Sequence, residues 1–370
     1  MNDFDIVIVG AGISGSVLAE RYANKLNKKV LIIEKRNHIG GNCYDYYNQC
    51  RILTHKYGPH FFHTNNKVVW DYISSFTKWH PYEHRVLSSV DNSLVPIPVN
   101  IDSINILFKT KITNSSQMLA WLKNEIIDSS NPKNSEEAAL ARVGKRLYKK
   151  LFRNYTIKQW GINPKEIHPS VMNRIPIHYN FDDRYFTDKY QAMPKNGYSK
   201  IFNRMLENKN IKVLLNTDFY KYKNKLKKFG RLFFTGPIDR FFEYKYGKLQ
   251  YRSLLFKDKN IEKEFFQTRA QINYPNNYRF TRITEIKHAT GQKINSTSII
   301  YEYPRWSGEP FYPILNETNQ RKMNLYSQQA KKLKSEGIFF IGRLANYIYI
   351  NMDKAFDNAL NLFKSLNQYE

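Results

Sequence analysis

Short apolar runs alternate with longer amphipathic segments in this chain and predict its first elements. Residues 5–9 and 30–33 are β-branched runs typical of buried parallel strands, and residues 14–27 between them have a helical pattern. Two later segments, 115–127 and 135–155, carry apolar residues at i, i+3 and i+4 spacing, as amphipathic helices do. The first half of the chain therefore predicts a strand–helix–strand unit followed by a helical region.

The second half changes from helical patterns to short aromatic-rich segments that resemble strands. The clearest of these predicted strands are residues 231–235, 266–274 and 297–303. Near the C terminus, an apolar strand at 337–341 precedes Gly342 and a helix from about Met352. We expect this last strand–glycine–helix unit to rejoin the N-terminal unit.

Three glycines follow the first strand in the spacing Gly-x-Gly-x-x-Gly. Gly10 permits a tight turn, Gly12 lets the backbone approach a pyrophosphate, and Gly15 lets the helix pack against the strand. Glu34 ends the second strand, nineteen residues after Gly15, where an acid can accept hydrogen bonds from a ribose diol. The pattern predicts a dinucleotide site; the alternative is a glycine-rich turn without a ligand.

A second glycine pair, Gly40 and Gly41, follows the acid within a few residues. Glycine at this position lets the chain pass close to an extended cofactor, which favours FAD over NAD. The alternative is an ordinary Gly-Gly turn. We rank it lower because the pair follows Glu34 so closely.

The patterns predict an α/β fold: a discontinuous Rossmann-like FAD-binding domain, an inserted helical domain and an antiparallel β-sheet domain. The predicted limits are 1–80, 195–240 and 325–370 for the FAD-binding domain, 95–180 for the helical domain with a mobile substrate lid, and 80–95, 180–195 and 240–325 for the sheet domain.

The formal net charge of +26 indicates an anionic ligand. It is compatible with binding to nucleic acid, to an anionic membrane surface or to a small phosphorylated substrate. No nucleic-acid-binding motif is visible, so we favour the phosphorylated substrate. Two cysteines, no signal peptide and no apolar run of about 18 residues predict a cytoplasmic protein without disulfides, metal or stable membrane insertion.

Three segments, 56–64, 155–161 and 278–285, concentrate histidine, tyrosine, tryptophan and arginine. Each has a plain structural explanation when taken alone. Together with the glycine motifs, and with 174–176, 184–186, 235–239, 251–254, 312–313 and 342–344, they resemble the UDP-galactopyranose mutase family from end to end. That resemblance implies a flavin-dependent isomerase that interconverts a UDP-hexopyranose and a UDP-hexofuranose through a flavin N5–sugar adduct. It further implies that FAD must be reduced.

The family's site residues can be carried over to matching positions of this chain. The resemblance implies catalytic roles for His63, Arg174 and Arg282. It implies substrate contacts from Phe152, Tyr155, Thr156, Gln159, Trp160, Arg174, Tyr185, Arg252, Arg282, Tyr312, Tyr349, His84 and Asn351. Together with the glycine motifs, it implies cofactor contacts from Gly10, Gly12, Ser14, Gly15, Glu34, Lys35, Gly41, Asn42, His60, Gly342, Arg343 and Met352. Arg174 and Arg282 are expected to bind the diphosphate, helped by the hydroxyls of Tyr185, Tyr312 and Tyr349.

The sugar side of the expected site departs from the family pattern. Asn351 stands where an acidic residue is common, and Phe311 replaces the first tyrosine of a Tyr-Tyr-Pro motif. UDP-galactopyranose is the first expectation, and the alternative is the same chemistry on a related nucleotide sugar, UDP-GalNAc or a deoxy sugar. We also keep a flavin oxidoreductase of the amine-oxidase type and, on charge alone, a nucleic-acid-binding protein. The preferred interpretation expects a UDP-sugar substrate, no nucleic acid and a homodimer.

Overall fold

The computed structural model describes residues 4–127, 129–226 and 229–367. The strands are β1 (Phe4–Val9), β2 (Val30–Ile33), β3 (Asp45–Tyr47), β4 (Leu53–His55), β5 (Phe62–Thr64), β6 (Trp79–Pro81), β7 (Val86–Val90), β8 (Ser93–Ile97), β9 (Tyr190–Pro194), β10 (Ile211–Leu214), β11 (Phe229–Phe234), β12 (Tyr251–Ile261), β13 (Gln271–Asn273), β14 (Arg282–Thr284), β15 (Thr297–Arg305), β16 (Tyr312–Pro313) and β17 (Ile338–Phe340).

The helices are α1 (Ile13–Leu26), α2 (Lys67–Ser74), α3 (Ile101–Phe108), α4 (Ser115–Glu125), α5 (Ser135–Leu147), α6 (Asn154–Trp160), α7 (Ser170–Asn173), α8 (Tyr198–Met205), α9 (Phe219–Tyr222), α10 (Ile238–Phe241), α11 (Lys287–Thr290), α12 (Glu317–Lys332) and α13 (Met352–Leu366). A π-helical turn at Tyr148–Arg153 joins α5 to α6, and short 3-10 turns lie at Gly41–Cys43, Pro164–Glu166, Lys223–Lys225 and Leu333–Glu336.

A five-stranded parallel sheet lies at the centre of the first unit, in the order β10-β2-β1-β11-β17. All four residues of β2 are buried, as its continuous apolar run requires in a sheet covered on both faces. On one side of β1 lies β2, which follows it in sequence, and on the other side lies β11, which comes much later. The direction of the strand order therefore changes at β1. Ligands bind at such a switch point, outside the carboxyl ends of the strands. Gly10 and Glu34 stand at those ends.

A second sheet has the order β16-β12-β15-β14-β13-β7-β8 and is antiparallel except where β13 pairs with β7. Its register places Arg282 of β14 directly opposite Glu302 of β15. The helices α3, α4 and α5 pack beside this sheet on a core that includes Ile104, Met118 and Val143. The predicted α/β fold class is confirmed, whereas the domain limits stay a prediction.

Two predicted elements differ from the structure. The helix expected at 135–155 is interrupted, because Gly144 has a φ of 75° and a π-helical turn follows at Tyr148–Arg153. The strand expected at 266–274 shortens to Gln271–Asn273. Its first residues bend away because the backbone N–H groups of Phe266 and Gln267 donate to the buried Glu285 carboxylate instead of to a neighbouring strand.

Within the helical domain, the lid is expected at residues 162–172, which precede Arg174 and contain Pro164 and Pro169. This segment lies folded against its neighbours in the structure. It contains the 3-10 turn Pro164–Glu166 and most of α7, and its residues Ile167 and Val171 are buried. Arg174 follows α7 directly and is exposed. Among the described residues, no helix is both long and apolar enough to cross a membrane.

Candidate active site

Two cavities meet in the interior of the molecule. The strand-end cavity, of about 720 Å³, lies at the carboxyl ends of β1, β2 and β11. The arginine cavity, of about 610 Å³, lies between α6, α7 and the second sheet and is lined by Arg174, Arg282 and Arg343. Six residues line both cavities: Asn42, His60, Phe311, Arg343, Asn351 and Met352. A ligand in one cavity can therefore contact a ligand in the other at this junction.

The glycine loop brings the backbone close to the strand-end cavity. Gly10 has a φ of 103°, and a Cβ there would collide with the Thr235 side chain. A Cβ at Gly15 would collide with the Gly10 carbonyl. A Cβ at Gly41 would lie 2.8 Å from the Cα of Gly12, so the two glycine loops touch. Only glycine permits this packing, as the sequence predicted.

Two long helices begin at the strand-end cavity without a capping side chain. The N-cap residues of α2, α3, α4, α5 and α12 are asparagines whose side chains accept backbone N–H groups, and Asp45 accepts those of α8. By contrast, α1 starts after Gly12 and α13 after Asn351 with no side-chain hydrogen bond at either cap. Their free N–H groups and positive dipole ends suit phosphate or another electron-rich group.

Glu34 is buried at the end of β2 and is held by two backbone amides. Its Oε2 accepts the N–H of Ala11 and its Oε1 accepts the N–H of Arg36, each at 2.8 Å. Each carboxylate oxygen keeps a further acceptor position, which a ribose diol can use. With the glycine contacts and the uncapped N terminus of α1, this geometry fits the adenosine and pyrophosphate part of FAD.

An ion-pair cluster that the sequence analysis missed lies at the rim of the strand-end cavity. The Glu309 carboxylate pairs with Lys35 at 3.0 Å and with Arg36 at 2.5 Å. The Arg36 guanidinium also lies 4.0 Å from the centre of the Tyr57 ring and donates to Asn42. Burial alone would raise the pKa of Glu309, but Arg36 and Lys35 outweigh it and lower that pKa. Because Glu309 is far from both cations in sequence, no local pattern indicated the cluster.

All of the expected cofactor residues line the strand-end cavity: Gly10, Gly12, Ser14, Gly15, Glu34, Lys35, Gly41, Asn42, His60, Gly342, Arg343 and Met352. The contacts of each one with a cofactor stay a prediction. Their convergence has a simple cause, since three strands and the segment after β17 end at the same edge of one parallel sheet.

Three arginines give the second cavity its positive charge. Arg174 lies with its guanidinium carbon 4.2 Å from the centre of the Tyr349 ring, and Arg343 lies 5.3 Å from the same ring. Partial burial alone would raise the pKa of the Tyr349 phenol, but the charges of Arg174, Arg343 and Arg282 outweigh it and lower that pKa. A lowered phenol pKa marks a strongly positive surrounding, which suits a diphosphate.

The ionic partners of these arginines differ. Arg282 contacts Glu302 at 3.2 Å, while its Nε has no hydrogen-bond partner. Arg343 donates to the backbone oxygens of Phe311 and Ile350. Among the residues that the structure describes, no carboxylate lies within ion-pair distance of Arg174. Arg174 and the free Nε of Arg282 are thus the groups best able to bind an added anion. Glu302 was missed by sequence analysis. The register of β14 and β15, which places it opposite Arg282, is visible only in the structure.

The π-helical turn and α6 supply the aromatic and amide end of the arginine cavity. Phe152, Tyr155, Thr156, Gln159 and Trp160 all line it. The side chain of Gln159 donates through Nε2 to the Tyr312 hydroxyl at 2.6 Å, and its buried Oε1 has no partner. An unpartnered buried acceptor is costly unless a ligand donates to it. This end of the cavity therefore suits a planar base that carries an N–H group.

Tyr312 lines the arginine cavity, and its hydroxyl donates to the Gln159 backbone oxygen at 2.9 Å, so its expected contact with phosphate stays a prediction. One expected substrate contact needs correction. Arg252 lines neither cavity. Its side chain donates to the backbone oxygens of Gln159 and Lys158 and lies over the Trp306 ring. Arg252 therefore stabilises the wall that carries Gln159 rather than contacting a ligand.

The histidines occupy distinct environments near the junction. His84 is buried, stacks on Phe61 at 3.7 Å between ring centres, and has its pKa lowered to about 3 by burial. It is therefore neutral at physiological pH. His63 contacts Asp188 through Nδ1, at 2.9 Å. The arginine cavity is also lined by His60, His63, His84, Tyr185, Tyr349 and Asn351, whose contacts with a ligand stay a prediction. Asp188 was missed, because nothing in its local sequence distinguishes it.

The comparisons with known proteins place this geometry in a class and then in a family. The model of an NAD(P)-binding Rossmann-like domain matches residues 8–76, so the fold and the strand-end cavity define a dinucleotide-binding α/β enzyme. A crystal structure of reduced UDP-galactopyranose mutase has the same fold, with a TM-score of 0.79 and 15% identity over 100% of this chain and 95% of that chain.

The family model of UDP-galactopyranose mutase matches residues 150–349. A protein of Klebsiella pneumoniae named "Probable UDP-galactopyranose mutase" is 38% identical over 368 residues, covering 97% of this chain and 94% of its own. A dTDP-fucopyranose mutase of Escherichia coli is 36% identical, covering 96% of each. The chain belongs to the UDP-galactopyranose mutase family, whose members are isomerases, and the resemblance found in the sequence is confirmed.

Proposed function

We propose that this protein interconverts a UDP-hexopyranose, in the first place UDP-galactopyranose, and the corresponding UDP-hexofuranose, with reduced FAD as its cofactor. The observation that carries the proposal is the junction of the two cavities, where six residues line both a dinucleotide-type cavity and an arginine-lined one. That arrangement allows a flavin ring to meet the sugar of a nucleotide-sugar substrate.

Three features of the strand-end cavity are proposed to hold three parts of FAD: its pyrophosphate, its adenosine ribose and its flavin ring. The N terminus of α1 would receive the pyrophosphate, Glu34 the adenosine ribose, and the N terminus of α13 the pyrimidine edge of the flavin. The chemistry that bound reduced FAD would supply is a nucleophilic nitrogen for the anomeric carbon, with no net oxidation or reduction.

The chain itself would hold the leaving group. Arg174 and Arg282 can donate charge-assisted hydrogen bonds to the diphosphate, each contributing about 1.5–3 kcal/mol. A clamped diphosphate stays near the anomeric carbon while the ring opens and recloses, so recombination remains effectively intramolecular. Glu302 limits the net positive charge and fixes the orientation of Arg282.

The uracil would occupy the aromatic and amide end. Tyr155 and Phe152 offer ring faces, and the unpartnered Oε1 of Gln159 can accept the N3–H of uracil. Thymine carries the same N–H group. The proposed base contact therefore fits both pyrimidines.

A second candidate is the same ring contraction on a related nucleotide sugar. The dTDP-fucopyranose mutase of Escherichia coli is nearly as similar as the relative from Klebsiella pneumoniae, and Asn351 lies at the sugar side. UDP-GalNAc or a nucleotide-linked deoxy sugar would then be the substrate. One missing or added polar group on the sugar can change preference by large factors.

The test uses the purified full chain loaded with FAD and reduced with dithionite. UDP-galactopyranose, UDP-GalNAc and dTDP-fucopyranose are supplied separately, and furanose products are separated by HPLC. We expect conversion of UDP-galactopyranose only in the reduced sample. Conversion of another sugar alone would select the second candidate. An FAD-loaded, reduced protein that converts none of them would contradict the proposal.

An amine-oxidase-like oxidoreductase is distinguished by steady oxygen consumption, which the mutase reaction does not require. Homodimeric assembly and a cytoplasmic location stay predictions. Analytical ultracentrifugation of the full chain tests whether it forms a homodimer.

A further inference from the structure

We infer that Asp188 is a positioning residue of the sugar pocket. It fixes His63 as the tautomer with hydrogen on Nδ1, so that Nε2 offers a hydrogen-bond acceptor to a sugar hydroxyl. The inference rests on the proposed function and deepens it, because it assigns the recognition of a hydroxyl-bearing sugar to one pair of side chains. Neither the glycine motifs nor the family comparison assigns a role to Asp188.

The His63 ring is held in two directions. Its Nδ1 lies 2.9 Å from Oδ2 of Asp188, and a carboxylate can only accept in that hydrogen bond. The Phe186 ring stacks on the imidazole with centres 3.5 Å apart and planes inclined by 10°. The contact with Asp188 sets which nitrogen carries hydrogen when the ring is neutral, and Phe186 sets its plane.

The loop that carries Asp188 is itself held by a strand opposite His63. Gln191 of β9 pairs with His63 of β5 in the sheet register. The Gln191 side chain donates from Nε2 to the backbone oxygens of Phe186 and Asp188, at 3.1 and 3.0 Å. One strand pair therefore fixes both the histidine and the loop that orients it. This arrangement accounts for the small exposure of the His63 side chain, 11%.

The other ring nitrogen of His63, Nε2, faces the region where the cavities meet and receives only a long, weak contact from the Asn351 amide. That nitrogen lies 3.5 Å from Nδ2 of Asn351, and both residues line the arginine cavity. Asn351 does not cap α13, so its amide is available to a ligand. The imidazole nitrogen can accept a hydrogen bond from a sugar hydroxyl group, and the neighbouring amide can donate a hydrogen bond to the same group. A sugar lacking that hydroxyl would leave the partly buried acceptor with only the long Asn351 contact.

The first experiment reads the tautomer directly in the wild-type holoenzyme. Nitrogen-15 NMR of histidine-labelled protein, recorded in alkaline solution after the histidine signals have stopped changing with pH, distinguishes the two neutral forms. We expect the Nδ1–H form at His63, assigned by its loss in His63→Gln. Finding the Nε2–H form would overturn the inference, whatever the activity of the protein.

The second experiment compares Asp188→Ala, Asp188→Asn and a matched surface control, Asp71→Ala on α2. We expect Asp188→Ala to raise KM for UDP-galactopyranose about tenfold, while the Kd for UDP, which lacks the sugar, changes less than twofold. Asp188→Asn keeps the shape of the side chain, but its NH2 group can turn toward Nδ1 and favour the opposite tautomer, so it should not recover the loss. Equal weakening of both ligands, or no change in KM, would overturn the inference. A wild-type protein inactive on every sugar would instead contradict the proposed function.

Discussion

Arg174 and Arg282 share a positive charge but differ in their surroundings. Arg174 lies over an aromatic ring and has no carboxylate partner among the described residues, whereas Arg282 is paired with the nearly buried Glu302. Removing Arg174 takes away one phosphate donor. Removing Arg282 also leaves an uncompensated carboxylate beside the expected diphosphate, and an unpaired buried charge is strongly unfavourable.

We therefore predict that Arg174→Ala lowers kcat/KM about 10- to 100-fold, the loss of one charge-assisted hydrogen bond, and that Arg282→Ala lowers it more. Adding Glu302→Gln to Arg282→Ala should restore part of the activity. Steady-state kinetics on the reduced enzyme measures this, with the exposed Arg321→Ala on α12 as the control. Near-normal activity of either single variant would remove that arginine from the proposed clamp.

At the scale of elements, a loop from the second sheet crosses the rim of the strand-end cavity. We name residues 306–310 the strap; Trp306, Gly308, Glu309 and Pro310 line this cavity. Its Glu309 pairs with Lys35 and Arg36, which follow β2. The strap therefore joins two parts of the chain across the proposed cofactor site.

We predict that Glu309→Gln speeds FAD release about two- to fivefold, because a partly exposed ion-pair cluster contributes about 0.2–1 kcal/mol. Recovery of flavin fluorescence after dilution of the holoenzyme measures the release rate. Glu317→Gln, an exposed residue of α12, is the matched control. An unchanged rate in Glu309→Gln would show that the strap does not retain the cofactor.

The interruption of α5 is a second feature at this scale. Gly144 has a φ of 75°, and a Cβ there would collide with the Glu125 carbonyl at the end of α4. We predict that Gly144→Ala lowers the free energy of unfolding by about 1–3 kcal/mol, through backbone strain and this collision. Gly247→Ala is the control, since Gly247 also has a positive φ but a Cβ there would make only ordinary contacts with the Lys322 side chain. Denaturant titration should show the smaller loss for Gly247→Ala.

For the whole molecule, buried histidines link stability to pH. Burial lowers the pKa of His55, His60 and His84 to about 3. Below about pH 6.5, the ordinary histidine value, the unfolded chain binds protons at these positions while the folded protein does not. The free energy of unfolding should therefore rise with pH between about 3 and 6.5 and fall as the solution is acidified through that range.

Denaturant titrations at several values between about pH 5 and pH 8 measure this slope. His84→Asn should flatten this slope, because one of the three groups is removed. The control His168→Asn, at an exposed position, should leave the slope unchanged. A slope unaffected by His84→Asn would mean that His84 does not take up a proton on unfolding.

Local patterns were sufficient for the parts of this protein that depend on neighbours in sequence. The β-branched runs, the glycine spacing and Glu34 predicted β1, α1, β2 and the edge of the sheet where the strand-end cavity lies. The order of the motifs along the chain was sufficient to identify the family. These features were predictable because a buried strand, a tight turn and a helix start each impose their own residue types over a few positions.

Contacts between distant segments were decided only by the tertiary structure. Glu302 meets Arg282, Glu309 meets Arg36, and Asp188 meets His63 through pairings that no local pattern encodes. Arg252 looked like a substrate residue but donates to backbone oxygens of α6. The physical reason is common to all four. A charged side chain is directed by whatever backbone and opposite charge lie near it after folding, and sheet register and strand order, not sequence spacing, set those neighbours.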